Sequence, residues 1–287
     1  MTRQGVVCCV FRVPIVEKHP DGMERVAVTL RILVTNDDGV DAPGLLALKR
    51  ALDALGETLV VAPDHNWSAA GHRKTMHKPL RLTPVRLMDG TPAYAASGSP
   101  SDCVALVMLG ALGARPDLVV SGINPNPNLG QDMTYSGTVT AAMEGTISGI
   151  PSFAVSTQTR EAAQCGVADP FEVAAEFAAA LARKIAAEGL PDGVLLNVNV
   201  PGRAKTDMAG VQVTRVCRRI YRDELVERAD PRGRPYYWIG GEEPTAEPGE
   251  DTDFWALEHG YISVTPLHLD LTADHEMERI QSWALRL

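Results

Sequence analysis

The chain has 287 residues, 45% of them hydrophobic and 22% charged, and carries a formal net charge of −9 at pH 7. This composition is typical of a globular protein with one large domain or two small ones. The acidic balance argues against a nucleic-acid polymer as an obligatory partner, because polymer-binding faces need clustered Lys and Arg side chains. It is compatible with a small phosphorylated substrate, which needs only a local positive site or a metal ion.

The first 28 residues are predicted to be an N-terminal extension ahead of the first strand of the fold. Their apolar stretch, GVVCCVFRVPIV, is interrupted by Arg12 and Pro14 and lacks a small-residue cleavage site. No run in the chain approaches the roughly 18 apolar residues that span a membrane, so we expect no membrane partner. The five cysteines are Cys8, Cys9, Cys103, Cys165 and Cys217. Their odd number and the lack of C-x-x-C spacing predict reduced thiols and a cytoplasmic protein.

Apolar runs and helix-like segments alternate through the first two thirds of the chain. Strands are predicted at residues 31–35, 58–62, 117–121, 152–156 and 194–200. Helices are predicted at residues 43–56, 99–113, 137–149 and 169–189, with Ser99 and Asp102 as an N-terminal capping pair. Short apolar strands without polar residues at alternate positions are typical of a parallel sheet that is covered on both faces. The pattern therefore predicts a doubly wound, Rossmann-like α/β fold with a mostly parallel sheet.

The pattern changes after about residue 205. Residues 211–225 and 234–242 are predicted to be two strands flanking the turn DPRG, followed by an acidic stretch at 242–253 and a closing strand at 261–267. We expect residues 29–287 to form a single α/β domain. Its core is placed at about 29–205, and a C-terminal β-hairpin arm with the closing segment at about 206–287.

Three loops that follow predicted strands are long and polar: NDDGVDAPG, APDHNWSAAGH and SGINPNPNLGQDMTYSGT. Ligands of an open parallel sheet bind outside the carboxyl ends of its strands. The loops supply the oxygen donors Asp37, Asp38, Ser68 and Asn124, which suit a hard divalent cation such as Mg²⁺, Mn²⁺ or Ca²⁺. Two carboxylates about 4 Å apart repel by roughly 4 kcal/mol, and a shared cation would remove that cost. Both can face one ion only if the chain turns there, which Gly39 permits.

Seven segments of the chain resemble the SurE (survival protein E) family in their order and spacing. They are ILVTNDDGVDAPG, VVAPD with Asn66 and Ser68, SGSPSDCV, DLVVSGINPNPNLGQDMTYSGTVTAAMEG, NVNVP, DPRGRPYYWIGG and GYISVTPL, from residue 31 to about residue 270. The resemblance implies a metal-dependent phosphatase that hydrolyses nucleoside monophosphates to a nucleoside and phosphate. This is a 5′-nucleotidase activity, with 3′-nucleotidase activity as a further expectation. The resemblance also implies a homodimer or homotetramer, with the C-terminal arm as an oligomerisation device.

The resemblance further implies a set of site residues. One divalent ion per subunit would be held by Asp37, Asp38, Ser68 and Asn124, with Mg²⁺ or Mn²⁺ expected and Ca²⁺ able to replace it in crystals. Ser136, Gly137 and Thr138 would lie near the phosphate, where free amides at a helix start can receive an anion. Asn36 and Asn128 are expected as further polar contacts to the substrate.

The chain departs from the family pattern at Ala69, where a glycine is usual. Alanine lacks the freedom of glycine at positive φ, so a different path of the second loop or different substrate access is expected. The extension at residues 1–28 also lies outside the family pattern. Neither departure involves the four expected metal ligands.

The expected mechanism is hydrolysis of a phosphate monoester by metal-activated water. No residue is assigned as the general acid, for which His65 and His72 of the second loop are candidates. An aspartyl-phosphate phosphatase would use Asp37 as a covalent nucleophile, although such enzymes usually carry Asp-x-Asp after the first strand. A non-catalytic nucleotide- or metal-binding module would have the same sheet edge, but would not need so many ligand oxygens. Both alternatives are open at the level of the sequence.

Overall fold

The computed structural model of the protein describes residues 14–18, 24–113 and 115–285. The predicted extension lies partly outside these residues, as do Cys8 and Cys9. Its described part, β1 (Pro14–Lys18) and β2 (Glu24–Val28), forms an antiparallel hairpin that is separate from the main sheet. Within the described residues, no helix combines the length and the apolar character needed to cross a membrane.

In the part of the chain that the structure describes, nine strands form one mostly parallel sheet. The strands after the hairpin are β3 (Leu30–Thr35), β4 (Gly56–Pro63), β5 (Leu82–Arg86), β6 (Pro92–Ala96), β7 (Leu118–Asn124), β8 (Ser152–Thr157), β9 (Val194–Val200), β10 (Gly210–Val213), β11 (Arg219–Ile220), β12 (Asp223–Ala229), β13 (Pro235–Gly241), β14 (Thr245–Ala246) and β15 (Tyr261–His268). The order in the main sheet is β10-β15-β9-β8-β7-β3-β4-β6-β5. In this order, the neighbouring strands from β9 through β8, β7, β3 and β4 to β6 all run parallel. β5 pairs antiparallel with β6, and β15 pairs antiparallel with β9.

Helices cover both faces of this sheet. They are α1 (Pro43–Leu52), α2 (Pro100–Met108), α3 (Gly137–Ile147), α4 (Thr159–Gln164), α5 (Glu172–Glu188), α6 (Asp253–Glu258) and α7 (Asp274–Gln281). Ile32 and Val34 of β3 pack with α1 and α5, whereas Leu33 packs with α2 on the opposite face. Successive strand side chains point to opposite faces, so β3 is buried on both and has no polar alternation. The predicted α/β fold class is confirmed.

The four predicted helices are all shorter in the structure than the sequence indicates, α1 and α2 chiefly at their C-terminal ends. The capping pair of α2 is present, with Asp102 N donating to Ser99 Oγ (3.2 Å) and Ser99 N donating to Asp102 Oδ2 (2.9 Å). However, α2 ends at Met108 rather than at 113, and α1 ends at Leu52 rather than at 56. After α1 a short 3-10 turn leads into β4, which already begins at Gly56. Pairing of Gly56 with Leu30 in the sheet ends the helical segment early.

The predicted hairpin arm is present, but its first strand is not continuous. Strands β12 and β13 pair antiparallel, and Asp230 Oδ1 accepts hydrogen bonds from Arg232 N and Arg234 N in the turn between them. The prediction of one strand over residues 211–225 is wrong, because β10 joins the main sheet beside β15 and β11 pairs with β14. Between these strands Cys217 N donates to the buried carboxylate of Asp253 (2.9 Å), which draws the chain inward and interrupts the strand.

The sequence also did not indicate β5 and β6, which extend the sheet at one edge. β5 is the terminal strand and carries Pro84, a residue that an edge strand tolerates because it lacks only one outward-facing N–H group. β6 consists of Pro92, three alanines and Tyr94, and it lacks the β-branched residues expected of a strand. These two strands complete the side of the sheet beyond β4.

Candidate metal and phosphate site

The strand order places the three polar loops side by side. Strands β7, β3 and β4 are neighbours, and the chain returns from β6 to β7 on the other side of β3. The strand order therefore reverses between β3 and β7, which is where ligands of this fold class bind. Hydrogen bonds join the loops, because Trp67 N donates to Asp37 O (2.7 Å) and Gly71 N donates to Tyr135 O (2.9 Å).

The two adjacent aspartates lie on a tight turn rather than on a straight strand. Asn36 is fully buried beneath it, where Nδ2 donates to Gly39 O (2.9 Å) and Oδ1 accepts from Gly39 N (3.2 Å). Gly39 has a φ of +106°, a conformation that residues with a side chain rarely adopt. The turn expected at Gly39 is thus present. Asn36 holds this turn with both ends of its amide, and its contact with the substrate stays a prediction.

Asp37 is packed between β3 and the start of α3. It is 4% exposed, and its Oδ1 accepts a hydrogen bond of 2.5 Å from Thr138 Oγ1. A Cβ added at Gly137 would lie 2.6 Å from Asp37 Cβ, so only glycine leaves room for this side chain. Burial raises the pKa of Asp37, while hydrogen bonds from Thr138 and from the backbone of Gly137 act in the opposite direction. The carboxylate therefore lies at the positive end of the α3 dipole.

Asp38 is half-buried beside Asp37. Burial, followed by the negative charge of Asp37, raises the pKa of Asp38 to about 6. Asn66 Nδ2 lies 3.4 Å from Asp38 Oδ1, a long contact with a neutral group. Among the described residues, no Lys, Arg or His nitrogen forms an ion pair with either carboxylate within 4.0 Å. Two adjacent carboxylates without a cationic side chain are unfavourable by themselves and fit a bound cation.

The second loop brings Ser68 to the same place. Ser68 N donates to Asn66 Oδ1 (2.7 Å), and the preceding residue, Trp67, is bonded to the backbone of Asp37. Ser68 itself is exposed, so its hydroxyl is accessible to a ligand. Ala69 has a φ of +58° and therefore adopts the left-handed conformation that favours glycine. For alanine this conformation costs roughly 1–2 kcal/mol.

The third loop begins with Asn124, directly after a bulge in β7. Asn124 Nδ2 donates to Asn126 O (2.5 Å), which orients the amide and leaves Oδ1 as the oxygen that could bind a cation. Asn128 is buried deeper, where its Nδ2 donates to Ser156 Oγ (2.7 Å) and its backbone N donates to Asn199 Oδ1 (2.8 Å). Asn128 thus attaches the loop to β8 and β9, and its contact with the substrate stays a prediction.

Ser136 is the N-cap of α3. Its Oγ accepts a hydrogen bond from Val139 N (3.2 Å), which is the usual role of serine at a helix start. Thr138 Oγ1, in the first turn of this helix, donates to the carboxyl group of Asp37. The carboxyl group of Asp37 therefore already lies at this helix start. The expected position of the phosphate beside Ser136, Gly137 and Thr138 stays a prediction.

The chemistry of these side chains fits a divalent metal ion. The side chains of Asp37, Asp38, Ser68 and Asn124 carry oxygen donors, the ligand type that Mg²⁺ and Mn²⁺ prefer. In residues 14–18, 24–113 and 115–285, no group of three or more His, Cys, Asp or Glu side chains is arranged to hold a metal. The expected ligand set therefore combines two carboxylates with a serine and an asparagine, and it stays a prediction.

The histidines of the second loop have partners other than the two aspartates. His65 is exposed, and its ring centroid lies 5.0 Å from that of Trp67. His72 Nε2 lies 3.2 Å from Glu144 Oε2, and Lys74 Nζ donates to Glu144 Oε1 (2.7 Å). These hydrogen bonds, that of His72 first, lower the pKa of the buried Glu144. Sequence reasoning missed Glu144, whose only signal is a lone charged residue in the helix GTVTAAMEGTI.

Residues at the base of the C-terminal arm (the arm root, Arg219 to Tyr221) and Asp253 form hydrogen bonds with the third loop. Sequence reasoning missed these contacts as well. Arg219 Nε donates to Asp132 Oδ2 (3.0 Å), and Tyr221 OH donates to Asp132 Oδ1 (2.5 Å). The fully buried Asp253 accepts a hydrogen bond from Gly130 N (2.9 Å). No local pattern marks these residues, because each contact joins parts of the chain more than 80 positions apart.

Comparison with known proteins shows the family of this chain. The family model described as Survival protein SurE matches residues 32–223, a range that contains all four expected metal ligands. The chain belongs to the SurE family. This SurE chain is 50% identical over 259 residues to "5′-nucleotidase SurE" of Herpetosiphon aurantiacus, which covers 88% of this chain and 98% of that protein.

Two further SurE proteins are similar to most of this chain. "5′-nucleotidase SurE 1" of Thermus thermophilus is 50% identical over 253 residues, covering 88% of this chain and 96% of that protein. The crystal structure of the SurE protein from Aquifex aeolicus superposes with a TM-score of 0.75 at 43% identity. That alignment covers 89% of this chain and 100% of the Aquifex chain. The similarity therefore extends beyond the site to most of the SurE fold.

Proposed function

We propose that this SurE family member is a metal-dependent 5′-nucleotidase that hydrolyses nucleoside monophosphates to a nucleoside and phosphate. The observation that carries the proposal is the pair of Asp37 and Asp38 at the reversal of strand order, without a cationic side chain beside them among the described residues. The names of the relatives from Herpetosiphon aurantiacus and Thermus thermophilus support the same activity. The proposal includes 3′-monophosphates, because the same ester chemistry applies to either ribose oxygen.

We propose one Mg²⁺ or Mn²⁺ ion per subunit, held by Asp37, Asp38, Ser68 and Asn124. When bound, such an ion would polarise the phosphate and lower the pKa of a water molecule. Hydrogen bonds within the chain already orient two of these proposed ligands. Thr138 holds the carboxylate of Asp37 in one orientation, and the bond from Asn124 to Asn126 O does the same for the Asn124 amide. Fixed ligands reduce the reorganisation that the reaction requires.

The phosphate is proposed to lie at the α3 side of the site, near Ser136, Gly137 and Thr138. The positive end of the helix dipole supports this position, since it favours a negative group there. Asn36 and Asn128 are the remaining proposed polar contacts. Both already stabilise loops at the site through hydrogen bonds, so their replacement would disturb the loops as well as the substrate.

A phosphate-release assay tests the proposal. Purified protein should release phosphate from several nucleoside monophosphates in Mn²⁺ or Mg²⁺, and an excess of chelator should abolish the release. Binding of nucleotide without release in any metal would favour the non-catalytic module. A phosphorylated enzyme trapped by acid quench would instead favour Asp37 as a covalent nucleophile.

We also propose that the arm makes the protein a homodimer or homotetramer. Leu225, Trp238 and Ile239 of the arm are 70%, 64% and 84% exposed. A two-stranded hairpin is marginally stable alone in water, and exposed apolar clusters mark interaction surfaces. Light scattering at micromolar concentration should give at least twice the chain mass of 30.8 kDa. A mass equal to that of one chain would contradict this proposal.

The proposed compartment is the cytoplasm. Cys103, Cys165 and Cys217 are free thiols, and two of them are buried. Free thiols are typical of proteins in a reducing compartment. Fractionation of cells that produce the protein tests the proposal, since recovery outside the cytoplasm would contradict it.

A further inference from the structure

A cavity of about 390 Å³ opens beside Asp38, next to the starts of α1 and α5. This volume lies within the range of small-molecule sites, roughly 300–1,000 Å³. Pro43, Ile123, Pro125 and Phe171 contribute its apolar walls, and Asp38 lines the end that adjoins the proposed metal site. The cavity thus adjoins the candidate site through Asp38, whereas Asp37, Ser68 and Asn124 are outside its lining.

Close packing at the start of α1 gives the cavity its shape. A Cβ added at Gly44 would overlap Ile123 O and lie 3.0 Å from Cε1 of the Phe171 ring. The glycine therefore lets α1 approach the end of β7 with the aromatic ring beside it. Phe171 precedes α5, and its backbone N donates to Asp169 Oδ1 (2.9 Å). Its ring is partly exposed and packs against the main core, so it presents a flat surface held from behind.

The lining suits an uncharged flat group rather than a second phosphate. Among the described residues, the cavity lining contains no Lys or Arg, and both of its charged side chains, Asp38 and Asp41, are carboxylates. Carboxylates repel phosphate but accept hydrogen bonds from N–H groups. Proline and phenylalanine side chains pack well against a planar ring. These properties match the nucleobase of a nucleoside monophosphate whose phosphate is bound next to Asp38.

We propose that this cavity binds the nucleobase of the substrate and that Phe171 packs against the base. The proposal rests on the proposed nucleotidase function and adds to it the position of the leaving nucleoside. The phosphate then lies at the α3 side of the sheet edge and the base at the α1 and α5 side. Phe171 therefore raises kcat/KM for a nucleotide relative to kcat/KM for a phosphate ester that lacks a base.

The experiment compares AMP with ribose 5-phosphate, which carries the same ester but no base. Phe171→Leu keeps an apolar side chain against α1 and removes the flat ring. We expect kcat/KM for AMP to fall about fivefold to tenfold, mainly through KM, while kcat/KM for ribose 5-phosphate is unchanged. Phe171→Tyr keeps the ring and should retain most of the preference for AMP.

Phe177→Leu is the matched control. Phe177 lies on α5, packs against the same core and is outside the cavity, so its replacement should leave both rates unchanged. Ribose 5-phosphate hydrolysis also reports whether each variant is folded with an intact phosphate site. A parallel loss of both activities in Phe171→Leu, or no loss of either, would overturn the proposal.

Equilibrium binding distinguishes a failure of the base-site proposal from a failure of the nucleotidase proposal. If the unmodified protein hydrolyses neither ester, the nucleotidase proposal fails, and binding of adenosine and ribose is measured by calorimetry. Adenosine binding that is stronger than ribose binding, and that Phe171→Leu weakens, supports the base site without hydrolysis. Adenosine that does not bind, or that binds equally to both proteins, overturns it.

Discussion

Replacement of Gly137 by alanine tests whether close packing of α3 positions the carboxylate of Asp37, a proposed metal ligand. The added Cβ would lie 2.6 Å from Asp37 Cβ and 2.9 Å from Asp37 Oδ2. Carbon atoms in contact are normally about 3.5–4.0 Å apart, so Asp37 or the helix start has to move by about 1 Å. A misplacement of this size costs roughly 100-fold in rate. We therefore expect Gly137→Ala to lower kcat/KM for AMP by about 100-fold and to weaken Mn²⁺ binding measured by calorimetry.

Gly145 in the same helix provides the matched control. A Cβ added at Gly145 would overlap Ser152 Oγ and lie 3.0 Å from Val119 Cβ. Asp37 is not among the atoms that this Cβ would meet. Overpacking costs about 1–3 kcal/mol of stability, so both variants should unfold at lower urea concentration. Only Gly137→Ala should lose activity per folded molecule. Equal losses of kcat/KM in the two variants, or full activity in Gly137→Ala, would refute the positioning of Asp37 by Gly137.

Three further predictions concern residues around the same site. Asp38→Asn should abolish metal-dependent phosphate release. In the presence of chelator the same change should raise the free energy of unfolding at pH 7 by roughly 1 kcal/mol, a value reduced for solvent screening, because it removes an unfavourable buried charge. Because the pKa of Asp38 is raised to about 6, this gain should be complete above that pH and vanish near pH 4; destabilisation at pH 7 would contradict it. Ala69→Gly should raise the free energy of unfolding by about 0.5–1 kcal/mol, because glycine adopts a φ of +58° without strain. The urea midpoint should rise accordingly, and a lower midpoint would show that the loop is unstrained. Glu144→Gln should destabilise the protein by about 1–3 kcal/mol, because the carboxylate that accepts hydrogen bonds from His72 and Lys74 is lost. The lowered pKa of Glu144 means that this difference should be largest at neutral pH and shrink in acid as the native carboxylate is protonated, and a difference independent of pH would contradict the assignment.

The core of the fold could be predicted because its pattern is local. Ile32 to Val34 form an apolar run that needs cover on both faces, and the structure provides α1 and α5 on one face and α2 on the other. The C-terminal third could not be divided correctly from the sequence. β11 and β14 are two residues long and exist through their pairing, through contacts of the arm root with Asp132 and through the hydrogen bond from Cys217 N to Asp253. Elements that short carry no periodicity by which a sequence could indicate them.

The sequence by itself determined the ligand chemistry of the candidate site, because residue type alone decides which atoms can bind a hard cation. Asp37, Asp38 and the turn at Gly39 are all visible in one short segment. Only the tertiary structure decided what surrounds them. The partner of Asp37 is Thr138, 101 positions away, and Phe171 reaches the cavity beside Asp38 from another part of the chain. Burial, pKa and side-chain orientation depend on which elements pack together, and packing between distant segments leaves no mark in a local sequence pattern.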